Sequence, residues 1–315
     1  MKFKTIHDMT CDIFNNLKQI PHDIDLIVGV PRSGMLAASI IALDLNLPLT
    51  DLDSFLEGKI YVAGDTKTNE HWIASPDEAR KILIVEDSVY TGNSIKKTRK
   101  KINEFYDSKI VYYAVYVKSE SKRLVDIYCD VCEPPRMFEW NCFHHQDINK
   151  VCFDIDGVLC RDPTNEENDD GERYIHFIST VEPLVIPTFK IGYIITSRLE
   201  KYRTETEVWL EKNGIKYNEL IMMQFASKEE RIRSGSHGSF KGEAYKRLRG
   251  TSLFIESDPA QAQEIANISG KGVFCVGNHV FYDEGKYTQV KNRIKKRIGK
   301  FLPKSMKRII KKTLK

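Results

Sequence analysis

The sequence has no run approaching the ~18 uninterrupted apolar residues of a membrane-spanning helix. Its opening stretch, MKFKTIHDMTCDIF, lacks the apolar core of a secretory signal, so the chain is expected to stay in the cytoplasm. Cysteine is sparse: seven residues, odd in number and irregular in spacing, suit reduced thiols rather than a disulfide framework. No GxxxxGK[ST] is present, which argues against the usual nucleoside triphosphate cradle. Acid is missing from one place in particular. Lys286 to Lys315 holds 13 Lys or Arg and no Asp or Glu, so the formal net charge of +4 leaves 4 − 13 = −9 for the rest.

What is present is a globular composition, 41% hydrophobic and 29% charged over 315 residues, enough for about two domains. The pattern places them at 1–148 and 149–283, followed by a tail at 284–315. The expected fold class is α/β: two doubly wound parallel-sheet domains plus a basic amphipathic helical tail.

The first domain is organised around KILIVEDSVYTGNS, Lys81 to Ser94. Ile82-Leu83-Ile84-Val85 reads as a buried strand ending at Glu86 and Asp87. Thr91-Gly92-Asn93-Ser94 follows, then a basic helical pattern from Ile95 to Phe105. Strand, Gly- and hydroxyl-rich turn, and helix start together make a phosphate cradle. The acids cannot serve that phosphate, so they must serve hydroxyls or a metal beside it. A phosphorylated sugar diol fits this mixture. A second strand, DLIVGV (Asp25 to Val30), runs into Pro31-Arg32-Ser33-Gly34 and a helix from Met35 to Leu45, a second anion-suited turn with a fixed charge at Arg32. Two such turns at strand ends would face one crevice of a doubly wound sheet. Ile110–Val117 and Leu124–Val131 read as further strands. The aromatic stretch holding Phe138, Trp140 and Phe143 reads as core in preference to a hood over a ligand. Cys129 and Cys132 fall on opposite faces of a strand, which argues against zinc held with Cys142, His144 and His145.

A second chemistry begins at VCFDIDGVLC, Val151 to Cys160. Alternation aims Asp154 and Asp156 to one side at a strand end, an arrangement costly without a cation such as Mg²⁺. Asp154 is then a candidate nucleophile forming an aspartyl phosphate, and Asp156 the acid and base for the leaving oxygen. Three more pieces follow in order: a strand, Ile191 to Ile195, ending in Thr196-Ser197-Arg198; a helical pattern opened by Lys241; and a strand, Leu253 to Ile255, ending in Glu256-Ser257-Asp258. The intervals, 196 − 154 = 42 and 241 − 196 = 45 residues, leave no room for a folded cap, so the site is expected to be open. Glu166 to Glu172 reads as a solvated flap.

These motifs resemble two families. KILIVEDSVYTGNS and VGVPRSG resemble the signature of type I phosphoribosyltransferases, which use phosphoribosyl pyrophosphate (PRPP). The resemblance implies that Glu86 and Asp87 hold the ribose hydroxyls and that Tyr90, Thr91, Gly92, Asn93 and Ser94 wrap the 5-phosphate. It further implies that Arg32, Ser33 and Gly34 grip pyrophosphate and that residues 54–80 close as a flap. Purine-salvage members usually carry Asp where this chain has Tyr90. Residues 150–280 resemble haloacid dehalogenase-like phosphatases. This implies roles for Thr196 on the transferred phosphate, Lys241 in neutralising it, and Asp154, Asp156, Glu256 and Asp258 as Mg²⁺ ligands.

In the tail, Ile294, Ile298, Phe301 and Leu302, then Met306, Ile309, Ile310 and Leu314, recur at 3–4-residue spacing among Lys and Arg. This stripe suits an anionic membrane surface and is of no use to a nucleic-acid-binding arm. The whole resembles dual-domain ribofuranosyltransferases of bacterial surface-polysaccharide synthesis, which implies an acceptor that is a lipid-linked glycan and a location on the inner face of the cytoplasmic membrane. The alternatives are a nucleobase phosphoribosyltransferase fused to a nucleotide phosphatase, or a PRPP-sensing regulatory protein.

Overall fold

The computed structural model describes residues 1–61, 64, 72–103 and 110–283. The expected tail helices and residues 62–63 and 65–71 of the expected flap (54–80) lie outside the described residues. The chain divides into two units between Trp140 and Asn141, eight residues before the boundary expected at 148.

The first unit runs β1 (Lys2–Lys4), α1 (Ile6–Asn16), β2 (Leu26–Gly29), α2 (Gly34–Leu45), β3 (Leu49–Asp51), α3 (Leu52–Leu56), β4 (Ile82–Val89), α4 (Asn93–Asn103), β5 (Ile110–Val117), β6 (Ile127–Val131) and β7 (Arg136–Phe138). Five strands form a parallel sheet in the order β3-β2-β4-β5-β6, and β1 pairs with β7 apart from it. Successive residues of β4 point to opposite faces: Leu83 and Val85 join the core under α1 and α2, Ile82 and Ile84 the core with Phe55 and Ile95. Burial on both faces is why β2 and β4 read as continuous apolar runs.

Two expectations change here. β4 does not stop at the acids. It carries Glu86 and Asp87 within its ladder, with Glu86 opposite Ala114 and Val89 opposite Val117 on β5. The strand expected from Leu124 starts at Ile127, because residues Ser119–Leu124 wind into a short 3₁₀ turn. Cys132 also lies beyond the end of β6, and it and Cys129 meet the same core instead of opposite faces.

The second unit runs β8 (Val151–Phe153), α5 (Glu172–Thr180), β9 (Ile191–Leu199), α6 (Arg203–Lys212), β10 (Tyr217–Met223), α7 (Lys228–Ser234), α8 (His237–Arg247), β11 (Leu253–Glu256), α9 (Pro259–Ser269), β12 (Val273–Cys275) and β13 (Val280–Tyr282). The sheet order is β10-β9-β8-β11-β12-β13, parallel except for the last pair. Asp258 caps α9, its carboxylate accepting from the Gln261 N–H, and Pro259 suits the first helical turn. The interval from β8 to β9 holds α5 and that from β9 to α8 holds α6, β10 and α7, with no separate cap. The acidic run at 166–172 is not wholly solvated: Glu167 pairs with Arg161, and Asp170 accepts from the Tyr202 hydroxyl and the Lys228 N–H.

Candidate functional sites

In the first unit the turn after β2 and the end of β4 meet. The Ser33 hydroxyl donates to Asp87 Oδ1 at 2.9 Å, tying the Arg32 turn to the acid pair. The Pro31–Arg32 peptide is cis. Gly34 makes the approach possible, since a Cβ there would lie 2.6 Å from the Val85 carbonyl oxygen on β4. Glu86 accepts from the Ser94 hydroxyl at 2.7 Å, so the second turn folds back onto the strand. Arg32, Tyr90, Thr91, Asn93 and Ser94 are exposed, Ser33 is half-buried, and Gly34 and Gly92 are buried. The structure therefore brings the predicted residues of both turns around two buried acids.

Burial pushes the Glu86 carboxyl up to about 7; the Ser94 hydrogen bond opposes this and the Asp87 charge adds to it. Burial also raises Asp87, against hydrogen bonds from Trp140 and Ser33. Trp140, which the sequence assigned to core in preference to a hood over a ligand, reaches the acid pair as well. It does stack on Phe138, with ring centroids 4.7 Å apart, but its indole N–H donates to Asp87 Oδ2 at 2.8 Å. Phe143 belongs to the second unit and packs on Phe153 within it.

In the second unit Asp154 and Asp156 follow β8, and both line a cavity of about 610 Å³ together with Thr196, Lys241, Glu256 and Asp258. Gly157 turns the chain directly after Asp156 at φ +76°, where a Cβ would also strike the Ser257 hydroxyl. Lys241 is 1% exposed, and its ammonium reaches Asp154 Oδ2 at 2.5 Å, Glu256 Oε2 at 2.8 Å and Gln261 Oε1 at 3.0 Å. Burial alone would lower the Lys241 pKa; the two carboxylates reverse this and hold it above its ordinary value. Burial raises Asp154 more than Lys241 pulls it down, with Glu256 and Asp156 adding to the rise.

The expected set of four carboxylates around one metal ion does not assemble. Arg198, wholly buried, takes Asp156 with Nη2 at 2.6 Å and Nε at 3.2 Å. Glu256 is engaged by Lys241 and by the Ser257 and Asp258 N–H groups. Among the described residues no group of three or more His, Cys, Asp or Glu is placed to hold a metal. Sequence reasoning quoted Arg198 within Thr196-Ser197-Arg198 without a role, and it missed Arg231 and His237, which also line the cavity.

Known proteins bear on the first unit. The family model for the phosphoribosyl transferase domain matches residues 3–146. Xanthine-guanine phosphoribosyltransferase of Chromohalobacter salexigens is 29% identical over 109 residues, 35% of this chain and 62% of that protein. The chain thus spans less than two thirds of that curated relative. Among solved structures, a purine phosphoribosyltransferase from Pyrococcus horikoshii is 20% identical, with a TM-score of 0.32 over 44% of this chain and 92% of its own. The Helicobacter pylori xanthine-guanine-hypoxanthine phosphoribosyltransferase is 18% identical, with a TM-score of 0.33 over the same shares.

Proposed function

We propose that the protein transfers a 5-phosphoribosyl group from PRPP to an acceptor and then hydrolyses the 5-phosphate, leaving a ribofuranosyl residue. The observation that carries the first step is the Ser33–Asp87 hydrogen bond, which unites two anion-suited turns and an acid pair in one domain of the matching family. Arg32 and the start of α2 would stabilise departing pyrophosphate, Glu86 and Asp87 would hold the ribose hydroxyls, and Thr91 to Ser94 the 5-phosphate.

The second step rests on the arrangement of Asp154, Lys241 and Glu256. Asp154 would attack phosphorus and displace the sugar oxygen, which takes a proton from Asp156. Water would then cleave the aspartyl phosphate, returning its proton to Asp156. Five acids line the cavity (Asp154, Asp156, Asp162, Glu256 and Asp258) against two cations, Lys241 and Arg231, an excess of negative charge that a dianionic phosphate would worsen and whose carboxylate oxygens suit Mg²⁺. Asp154, Asp156, Glu256 and Asp258, each of which also accepts a hydrogen bond within the protein, are the carboxylates that would hold the ion. It would supply neutralisation of the developing charge.

The cavity lacks a cap and the tail sequence carries a basic apolar stripe, which together favour a lipid-linked glycan acceptor at the inner face of the cytoplasmic membrane. A second reading is favoured by the xanthine-guanine relative: a nucleobase acceptor, with the phosphatase converting nucleotide to nucleoside. Tyr90 weighs against it, standing where the resembled purine enzymes carry Asp. Incubation with PRPP and either free bases or a lipid-linked oligosaccharide separates the two. Labelled glycan is expected, and turnover of a base without glycan labelling overturns the choice. Undiminished biological function with both Asp87→Asn and Asp154→Asn would instead favour a PRPP-sensing role.

A further inference from the structure

Two buried side-chain atoms in the second unit have no hydrogen-bond partner and belong to residues that line the same cavity: Nε of Arg231 and Oγ of Ser197. Arg231 rises from the last turn of α7 and is only 9% exposed. Its Nη1 donates to the Ser197 carbonyl at 2.9 Å, which anchors the guanidinium against β9 beside Thr196. No carboxylate pairs with it among the described residues. A guanidinium taken this far out of water without a counter-charge carries a desolvation penalty that a bound anion offsets.

The cation already assigned to this cavity does not fill that role. An ammonium has three protons, and those of Lys241 go to Asp154, Glu256 and Gln261. It has no donor left for a phosphate unless one of these bonds breaks. Arg198 is likewise committed to Asp156 and does not line the cavity. Arg231 is the lining cation with capacity to spare. Its charge is felt at His237, a half-buried neighbour on the same wall whose pKa is lowered first by burial and next by Arg231.

We propose that Arg231 and the Ser197 hydroxyl form the phosphate-gripping pair of this cavity. They would hold non-bridging oxygens of a phosphomonoester whose phosphorus faces Asp154. The proposal deepens the phosphatase reading for the reaction, while the binding claim stands on the unpartnered groups alone. The cavity, about 610 Å³ in all and lined further by Pro163, Asn168, Tyr174 and His237, lies within the ~300–1,000 Å³ usual for small-ligand sites and takes a sugar phosphate as ligand class.

The test uses the full chain with Arg231→Met, Arg231→Lys and Ser197→Ala, and Arg233→Ala as an exposed control on the same helix. Inorganic phosphate is titrated calorimetrically with Mg²⁺ present, thermal melting is recorded for each variant, and hydrolysis of ribose 5-phosphate is followed in parallel. Loss of charge-assisted hydrogen bonds should weaken phosphate binding by ~10-fold or more in Arg231→Met, less in Arg231→Lys and by a few-fold in Ser197→Ala. Arg233→Ala should match wild type, and the KM for ribose 5-phosphate should rise more than kcat falls. A purely structural Arg231 would lower the melting temperature and leave phosphate affinity unchanged, and that result overturns the proposal. Should Arg231→Met not fold, unchanged affinity in both Arg231→Lys and Ser197→Ala overturns it equally. Arg231-dependent phosphate binding without any phosphomonoester hydrolysis would uphold the pair and remove the phosphatase reading.

Discussion

Glu86 sits in a position that makes the first unit's behaviour depend on pH. Its ordinary value is 4.5, and burial carries it to about 7 in the folded chain. Between those values the folded state holds a proton that the unfolded state has released. Stability from this group is therefore fully present below about 4.5 and is lost as pH rises to about 7. Activity should run the other way, because ribose hydroxyls need an ionised acceptor: kcat/KM for PRPP is expected to rise through about 7. Ser94→Ala removes a hydrogen bond that favours the carboxylate, so the acid limb should move to higher pH. Coincident pH profiles for the two proteins would refute the assignment. In the second unit, Lys241→Met would strand Asp154 and Glu256, 4% and 1% exposed, without their cation. A loss of ~3–5 kcal/mol in denaturant unfolding is expected, together with loss of phosphomonoester hydrolysis. The acids, the Thr91–Ser94 turn and Thr196 were legible because each lies at a short, fixed offset from an apolar run, while Lys241 was read from a helical pattern that in fact begins earlier, at His237. Trp140, Arg198 and Arg231 were not, since their partners lie 53, 42 and 34 residues away and only the folded sheet brings them together.

At the level of elements, the parallel strands announced themselves through burial on both faces, and β5 kept its expected bounds. Their ends did not. β4 and β9 continue past the last apolar residue into Glu86-Asp87 and Thr196-Ser197-Arg198 because neighbouring strands still offer a ladder. Hydropathy stops where backbone pairing does not, and the polar residues so carried are the site residues. The same strand ends explain why small residues are needed around them. At Gly34 a methyl group would press on the Val85 carbonyl and part α2 from β4. Gly34→Ala is expected to cost ~1–3 kcal/mol of stability, as overpacking does, and to weaken PRPP binding by loosening the Ser33–Asp87 contact. Calorimetric titration of PRPP alongside thermal melting checks both, and wild-type affinity in the variant would show that the two turns do not depend on this approach.

For the whole molecule, the proposed function gives the two units two chemistries whose products and substrates would match in series, and full-length variants can separate them. Asp87→Asn removes a buried acceptor from the first site and should abolish ribosyl transfer while leaving hydrolysis of added ribose 5-phosphate near the wild-type rate. Asp154→Asn removes the nucleophile of the second and should leave transfer intact, with the product retaining its phosphate. Mass spectrometry of the glycan product distinguishes the two, since the Asp154→Asn product is heavier by one phosphate group. Mixing the two variants then asks how the intermediate travels. If the phosphorylated product leaves the first site freely, the mixture should restore the dephosphorylated product at a rate that depends on the concentration of the Asp87→Asn protein. If the product passes only within one chain, the mixture should accumulate the phosphorylated form. The cavity has walls from α5 (Tyr174) and α7 (Arg231) but no separate cap, which favours the first outcome. Dephosphorylated product from Asp154→Asn alone would mean that the second unit does not remove this phosphate, and the serial scheme would fail with it.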